Sequence, residues 1–409
     1  MKDSSKKLST EPYKGVRDFY PEDMAVQNYI FDIWKKTAQS FGYEEYGASI
    51  LEPANLYLAK SGQELVNEQT YTFTDRGDRE VTIRPEMTPS VARMVAARKR
   101  ELALPLRWFS IPNLFRYEQP QRGRLREHWQ LNADIFGLEG IEAEIEIISL
   151  AYRIMKKFGA QDSDFEIRIN DRRQLQAEVE KRLKNKDSYP DAARLLDKKE
   201  KMPEGEFQKK WQELSNEPFD NISANDSVKQ IIGALEKTGI KDMKFWPTLA
   251  RGFDYYTGIV FEIFDTNPEN RRALFGGGRY DELTALFGGD PVPAVGFGMG
   301  DVTMRDFLET HKLLPELKSA TKLHICTLDA KYITQAQEIA SRLREKGLTV
   351  SVNLTNKKVG DQITWADKHH IPFIICIGDE EIGSGKVRLK NLETGKETEI
   401  MIDRIYEDL

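Results

Sequence analysis

Two strand-like runs joined by a stretch too charged to be buried constrain the fold of this chain more than any other feature. Residues 106–118 and 129–137 both have the composition and alternation of β-strands, and the basic connection "QPQRGRLREH" runs between them. A long hairpin with a charged tip is predicted. Alternate side chains of a strand share a face, so Leu114, Arg116 and Glu118 lie together on the first run and Gln130, Asn132 and Asp134 on the second. A polar strand face is most often just a solvated one. If the two faces coincide, however, Arg116, Glu118, Gln130 and Asp134 form one floor with both signs of charge, suited to a zwitterion or a phosphate ester. Arg122, Arg124 and Arg126 in the connection are spaced to meet phosphates.

The rest of the chain must supply the partners of that hairpin. At 409 residues it is too long for one ordinary core, so two or three domains are expected. Residues 21–41 carry apolar side chains at 26, 30, 33, 34 and 41, with Thr37 in phase with them, a helical stripe that Gly42 is placed to end. After the strand-like "TYTFTD" and "EVTIRP", Thr88 and Pro89 read as a capping hydroxyl before a proline of the first helical turn. Residues 141–158 read as a helix ending at Gly159. From 171 to 246 the chain becomes highly charged and poor in β signals, an inserted helical module. From Lys322 strand-like and helical runs alternate as in a small α/β domain, with "THKLLPELKSA" as the linker before it.

The amino-terminal "MKDSSKKLST" has no apolar segment after it, and nowhere do about 18 apolar residues run together, so neither secretion nor membrane insertion is indicated and the cytoplasm is the default. Cys326 and Cys376 sit in strand-like apolar runs, which favours buried reduced thiols over a disulfide or a metal site. No histidine or cysteine cluster has ligand spacing. A net charge of −6 argues against indiscriminate polyanion binding, while a local basic strip can still bind RNA.

In "LARGFDYYTGIVFEIF", Arg251 stands in an apolar run just before Tyr255 and Tyr256. Two readings fit: a buried strand whose arginine pairs with Asp254 or a distant carboxylate, or a ligand site. The glycines Gly276 to Gly278 of "FGGGRYDEL" likewise fit either a backbone that passes close to substrate or a tight strand-helix turn.

Several long motifs nevertheless occur in one order: "GVRDFYPEDM", "TIRPEMTPSVARM", "LFRYEQPQRGRLREHWQLNADIFG", "LARGFDYYTGIVFE" and "FGGGRYDEL". Through them the chain resembles the histidyl-tRNA synthetases over nearly its whole length. "FRYE" resembles the second motif of the wider synthetase family, and "RGFDYYTG" the histidine-specific signature. The resemblance implies an α+β fold: an antiparallel six-stranded catalytic sheet flanked by helices over 1–170 and 247–315, a helical insertion over 171–246 that contacts the tRNA acceptor arm, and a C-terminal α/β anticodon-binding domain over 320–409. It implies attachment of L-histidine to tRNA(His) through histidyl-adenylate, with ATP as substrate, Mg2+ accompanying it, and a cytoplasmic homodimer with no membrane attachment.

By the same resemblance Arg116 would bridge the histidine carboxylate and the α-phosphate of ATP, and Arg251 would approach the same atoms as a catalytic contact. Glu118 would accept from the adenine amino group, Arg124 would meet the outer phosphates, and His128 stands where relatives stack an aromatic ring on adenine. Glu86, Thr88 and Gln130 would take the α-amino group of histidine, with Met87 lining that loop. Asp134 and Tyr256 would hold the two imidazole nitrogens, with Tyr255 beside them. No protein metal ligand is implied.

The chain departs from the family pattern at two places. Ser49 stands where many relatives have the proline of the first motif, and Thr303, in "VGFGMGDVTM", stands where most have an arginine lying along ATP. These departures keep a second function in view: a non-catalytic synthetase paralogue that regulates histidine biosynthesis. Such paralogues lack the tail domain and usually the signature arginine, and this chain has both.

Overall fold

The structure, a computed structural model describing residues 8–58, 69–199, 202–220, 222–249, 255–270, 273–316 and 318–409, begins with a helix set by its own punctuation. Pro21–Ser40 is helical, with Pro21 at its first position, Ile30, Trp34 and Ala38 buried on one face, and Gly42 at φ +80° just past its end. Short strands follow: β1 (Glu44–Glu45), β2 (Leu51–Pro53), β3 (Tyr71–Thr74) and β4 (Glu80–Ile83), of which β2, β4 and β3 form a small antiparallel sheet.

The helix Thr88–Arg98 starts one residue earlier than its capping signal suggests. Met87 occupies the N-cap position without a side-chain cap, and Thr88 is already inside the first turn, so its hydroxyl does not cap the helix.

The hairpin forms with a break. Its first arm is β5 (Leu106–Ser110) followed by β6 (Asn113–Phe115), and its second is β7 (Glu127–Phe136). Pro112 separates β5 from β6 because proline has no N–H to give the ladder. Arg116 still donates its backbone N–H to the Arg126 carbonyl at 2.8 Å, whereas the Tyr117 N–H turns to Gln69, so Glu118 lies outside the strand in which alternation had placed it.

The chain then adds β8 (Phe165–Asp171), β9 (Met243–Phe245), β10 (Ile259–Asp265), β11 (Ala273–Arg279) and β12 (Ala294–Gly300). The main sheet has nine strands, in the order β1-β5-β7-β12-β11-β10-β8-β9 with β6 beside β7. Six of them, β5 through β8 in that order, are successive antiparallel neighbours, which is the expected sheet. The count of six is therefore corrected to nine: β1 and β9 add in parallel at the edges and β6 continues the hairpin. Strands of two or three residues are too short for alternation to reveal.

One face of this sheet presents Phe109, Leu131, Ala133, Ile135 and Ile263 to a core shared with the helices Pro21–Ser40, Glu142–Lys157 and Asp301–Thr310. The opposite face is where polar side chains of β7 gather. Within the charged segment, Leu175, Val179, Leu195, Phe207, Trp211 and Phe219 build a small core of their own. The helix Asp226–Lys237 instead buries Val228, Ile231 and Leu235 in the main core.

The two compact units of the chain are Met1–Leu314 and Pro315–Leu409. In the second, β13 (Leu323–Thr327), β14 (Val350–Val352), β15 (Phe373–Ile377), β16 (Lys386–Asn391) and β17 (Glu397–Met401) form a mixed sheet, parallel among β14, β13 and β15 and antiparallel beyond. Cys326 and Cys376 are register partners on β13 and β15 and carry free thiols.

Candidate active site

The site rests on an alternation of a second kind, between side chains and their absence. On β7, Gln130, Asn132 and Asp134 point to the face opposite the core. Their partners on β12 are Gly300, Gly298 and Gly296. A methyl group on Gly296 would lie 2.0 Å from Asp134 Oδ1, and one on Gly298 2.7 Å from Gln130 Cδ. Glycine is therefore required there for the polar side chains to lie across the neighbouring strand.

Above this floor is a cavity with about 370 Å³ of empty space, part of it open to solvent, lined by Glu86, Thr88, Arg116, Gln130, Asn132, Asp134, Tyr255, Tyr256 and Tyr280 together with Phe297 and the glycines. Most residues expected to bind histidine thus converge, although they come from segments as far apart as 86 and 256. Tyr255 donates to Glu86 Oε2 at 3.0 Å and stands 4.9 Å, centroid to centroid, from Tyr256. Arg116 donates through Nε to the Pro85 carbonyl at 2.8 Å, tying the hairpin to the loop that carries Glu86. Arg251 lies outside the described residues.

Asp134 dominates the electrostatics. Burial pushes its carboxyl from 3.8 up to about 7, with a hydrogen bond from Tyr280 acting in the other direction. Tyr280 donates to Asp134 Oδ1 at 2.5 Å, while Oδ2 is buried and meets no hydrogen-bond partner among the described residues. Burial also raises the phenols of Tyr255 and Tyr280 well above their usual value, so both are donors at neutral pH. A site that offers one acceptor deep in an aromatic cleft, a buried carboxylate at its rim and a guanidinium at its mouth is matched to a zwitterion whose side chain carries an N–H.

The remaining expected residues lie off the cavity. Met87 is fully buried and turned into the fold. Glu118 stands 3.6 Å from Arg124, beyond the end of β6. His128 shares the polar face of β7, and burial, then the charges of Arg116 and Arg17, hold its pKa well below the usual imidazole range. In the tip, Arg122 pairs with Asp306 at 2.8 Å on the helix Asp301–Thr310, and a methyl group on Gly123 would come within 3.7 Å of Thr303 Cγ2, so this connection lies against the departure from the family pattern. Thr303 Oγ1 donates to the Leu274 carbonyl at 2.8 Å. Arg305 is committed to Asp23 and Glu309.

Tyr280 and the β12 glycines are lining residues that the sequence does not single out, and Asn132 is legible only as a member of the polar strand face, with no assigned role. The signal for the glycines was present: "AVGFGMG" carries glycine at every second position, a strand with one face stripped of side chains. Tyr280 stands in the motif "FGGGRYDEL", but nothing in that run marks it apart from its neighbours.

A family model for histidyl-tRNA synthetase matches residues 15–170 and 167–301, and one for an anticodon binding domain matches residues 322–409. A histidine–tRNA ligase of Leptospira biflexa is 45% identical, covering 94% of this chain and 94% of its own. The chloroplastic/mitochondrial histidine–tRNA ligase of Arabidopsis thaliana is 36% identical over 98% of this chain and 87% of its own. Among solved structures, the apo S. aureus histidyl-tRNA synthetase is similar with a TM-score of 0.75 at 25% identity, covering 98% of this chain and 99% of that one.

Proposed function

The chain belongs to the histidyl-tRNA synthetase family, and from that membership we propose how its own side chains carry the reaction. It is a histidine–tRNA ligase, joining L-histidine to tRNA(His) with ATP, and the regulatory alternative is not favoured.

The observation that carries our reading of the site is Asp134 Oδ2, a buried acceptor without a partner among the described residues, at the end of an aromatic cleft. An imidazole N–H satisfies it, and Tyr256 takes the other ring nitrogen. A ring lacking the nitrogen would leave an acceptor position of Oδ2 unfilled, which costs more than the hydrogen bond itself contributes. Glu86, Thr88 and Gln130 hold the ammonium group. Arg116 bridges the substrate carboxylate and the α-phosphate with a planar, permanently charged fork.

The attacking group is then the substrate's own carboxylate oxygen. It bonds to the α-phosphorus as the bond to pyrophosphate breaks, so no protein nucleophile or base is needed and positioning with electrostatic stabilisation supplies the catalysis. Arg251 stabilises the charge on the α-phosphate. Glu118 and His128 take adenine, the latter as a neutral ring. Arg122 and Arg305 are held at 2.8–3.0 Å by acidic partners whereas Arg124 stands 3.6 Å from Glu118, and it is Arg124 that meets the outer phosphates in place of the arginine that Thr303 replaces. Magnesium enters as the counter-ion of those phosphates, as part of the substrate. In the second step the terminal ribose of the tRNA takes histidine from the adenylate.

The tail, 320–409, takes the anticodon, in keeping with its family match. Of the segment 171–246 between the catalytic parts 1–170 and 247–315, the portion with its own small core, Leu175 to Phe219, reaches the acceptor arm as an inserted helical module, while the helix Asp226–Lys237 and β9 pack with the catalytic domain. Ile50, Leu51 and Phe73 leave apolar surface exposed on and beside the small sheet, and a second copy of the chain covers it in a homodimer. Among the described residues no helix is long and apolar enough to cross a membrane, and our reading places the enzyme in the cytoplasm.

Histidine-dependent exchange of labelled pyrophosphate into ATP tests the reading, with Asp134→Asn measured beside the wild type. Exchange with histidine and a rise of at least about tenfold in its KM for the variant are expected. An unchanged histidine KM in folded Asp134→Asn would remove the assignment of the imidazole site.

A further inference from the structure

Behind Asp134 the sheet carries polar atoms that the proposed reaction does not use. The backbone N–H of Tyr46 bonds to the Phe109 carbonyl at 2.9 Å, extending the parallel pairing of β1 with β5, in which Glu45 lies opposite Phe109. Tyr46 thereby comes beside Ser110, and Ser110 lies opposite Asn132 on β7. One step along, Trp108 lies opposite Asp134, and the ring of Tyr46 packs on Trp108 with centroids 5.7 Å apart. Ser110 is thus the diagonal neighbour of Asp134 on one face of the sheet.

Three atoms in this corner are buried and badly matched. The Tyr46 and Ser110 hydroxyls lie against each other, yet neither is aligned in a hydrogen bond among the described residues, and Asp134 Oδ2 is unpartnered as well. Ser110 and Asp134 are only 3% exposed. Orphaned buried polar atoms are rare, and each costs free energy unless something partners it. Diagonal neighbours in an antiparallel pair have Cβ atoms somewhat less than about 7–8 Å apart, which is too far for two short side chains to bond directly and right for one intervening water. A buried water requires two to four polar partners, and this corner offers three.

We propose that Tyr46 and Ser110 are positioning residues for Asp134: their hydroxyls hold one ordered water that donates to its Oδ2. With Tyr280 on Oδ1, the carboxyl is then fixed from both sides, and the second lone pair of Oδ2 is left for the imidazole N–H. The proposal rests on the reading that Asp134 receives histidine. It adds that a residue of the edge connection, outside the cavity lining, sets histidine affinity.

The test is pyrophosphate exchange by the full chain carrying Tyr46→Phe, Ser110→Ala or both, with Asp134→Asn as reference. Each single variant is expected to raise the histidine KM about tenfold, the effect of losing one hydrogen bond to a charged group, with kcat and the ATP KM unchanged within about twofold. The double variant should resemble the singles, because both hydroxyls act through one water. If histidine KM stays at the wild-type value in the single variants while Asp134→Asn raises it, the water is absent and only this proposal falls. If Asp134→Asn is also silent, the imidazole assignment itself has failed. Should Tyr46→Phe not fold, Ser110→Ala alone decides, since it removes a hydroxyl and little volume. Effects that add fully in the double variant would overturn the single shared water.

Discussion

The hydroxyl of Tyr255 donates to Glu86 Oε2 across 3.0 Å, joining two segments 169 residues apart in the sequence. One belongs to the "DYY" signature and the other to the loop before the helix Thr88–Arg98. Their bond orients the carboxylate that we propose receives the substrate ammonium group. Because burial keeps the Tyr255 phenol protonated, the bond persists across the working pH range.

Tyr255→Phe should therefore raise the histidine KM about tenfold and leave the ATP KM alone, as expected for losing one donor to a charged group. Exchange kinetics with each substrate varied in turn check this. An equal rise in both KM values would mean that Tyr255 supports the fold of the whole cavity instead.

Asp134 links the site to stability. In the unfolded chain its carboxyl ionises near 3.8, but burial holds it protonated in the folded chain up to about 7. Between those values the unfolded state releases a proton that the folded state keeps, so the stability this residue contributes falls as pH rises and levels off above about 7. Asp134→Asn cannot titrate. In the absence of histidine the variant should gain roughly 2–3 kcal/mol relative to wild type between pH ~5 and ~7.5, read from denaturant melts. Parallel curves for the two proteins would show that Asp134 is ionised in the empty site.

Arg251→Ala should lower the rate of adenylate formation by about two to four orders of magnitude, the scale of losing one oriented donor to developing charge, with the melting temperature unchanged. A variant that melts early but keeps its single-turnover rate when folded would make Arg251 a structural counter-ion.

The vacated position at Thr303 gives a prediction with a built-in control. Arg124 is expected to meet the β- and γ-phosphates, whereas Arg305 already bonds Asp23 at 3.0 Å and Glu309 at 2.8 Å. Arg124→Ala should raise the ATP KM by at least about tenfold. Arg305→Ala should change it less than about twofold, since its guanidinium is already taken up by those two carboxylates. The reverse pattern, measured with ATP and magnesium varied together, would move the phosphate contact to Arg305.

The sequence by itself determined the local elements and the identity of the chemistry. The stripe of Pro21–Ser40, the polar alternation of Gln130, Asn132 and Asp134, and the basic tip are short-range patterns, fixed by periods of 3.6 and 2 that need no partner to be read. Tertiary structure decided which of those polar faces meet. Arg116 reaches the cavity and Glu118 does not, because Pro112 interrupts the hairpin and the chain turns to Gln69 after Arg116, a choice made by a distant acceptor. Tyr280 acquires its importance only through Asp134, which is 146 residues away, and Tyr46 only through an edge pairing of two residues. Such contacts depend on strand order and register, and a strand of two residues leaves no period in the sequence from which either could be inferred.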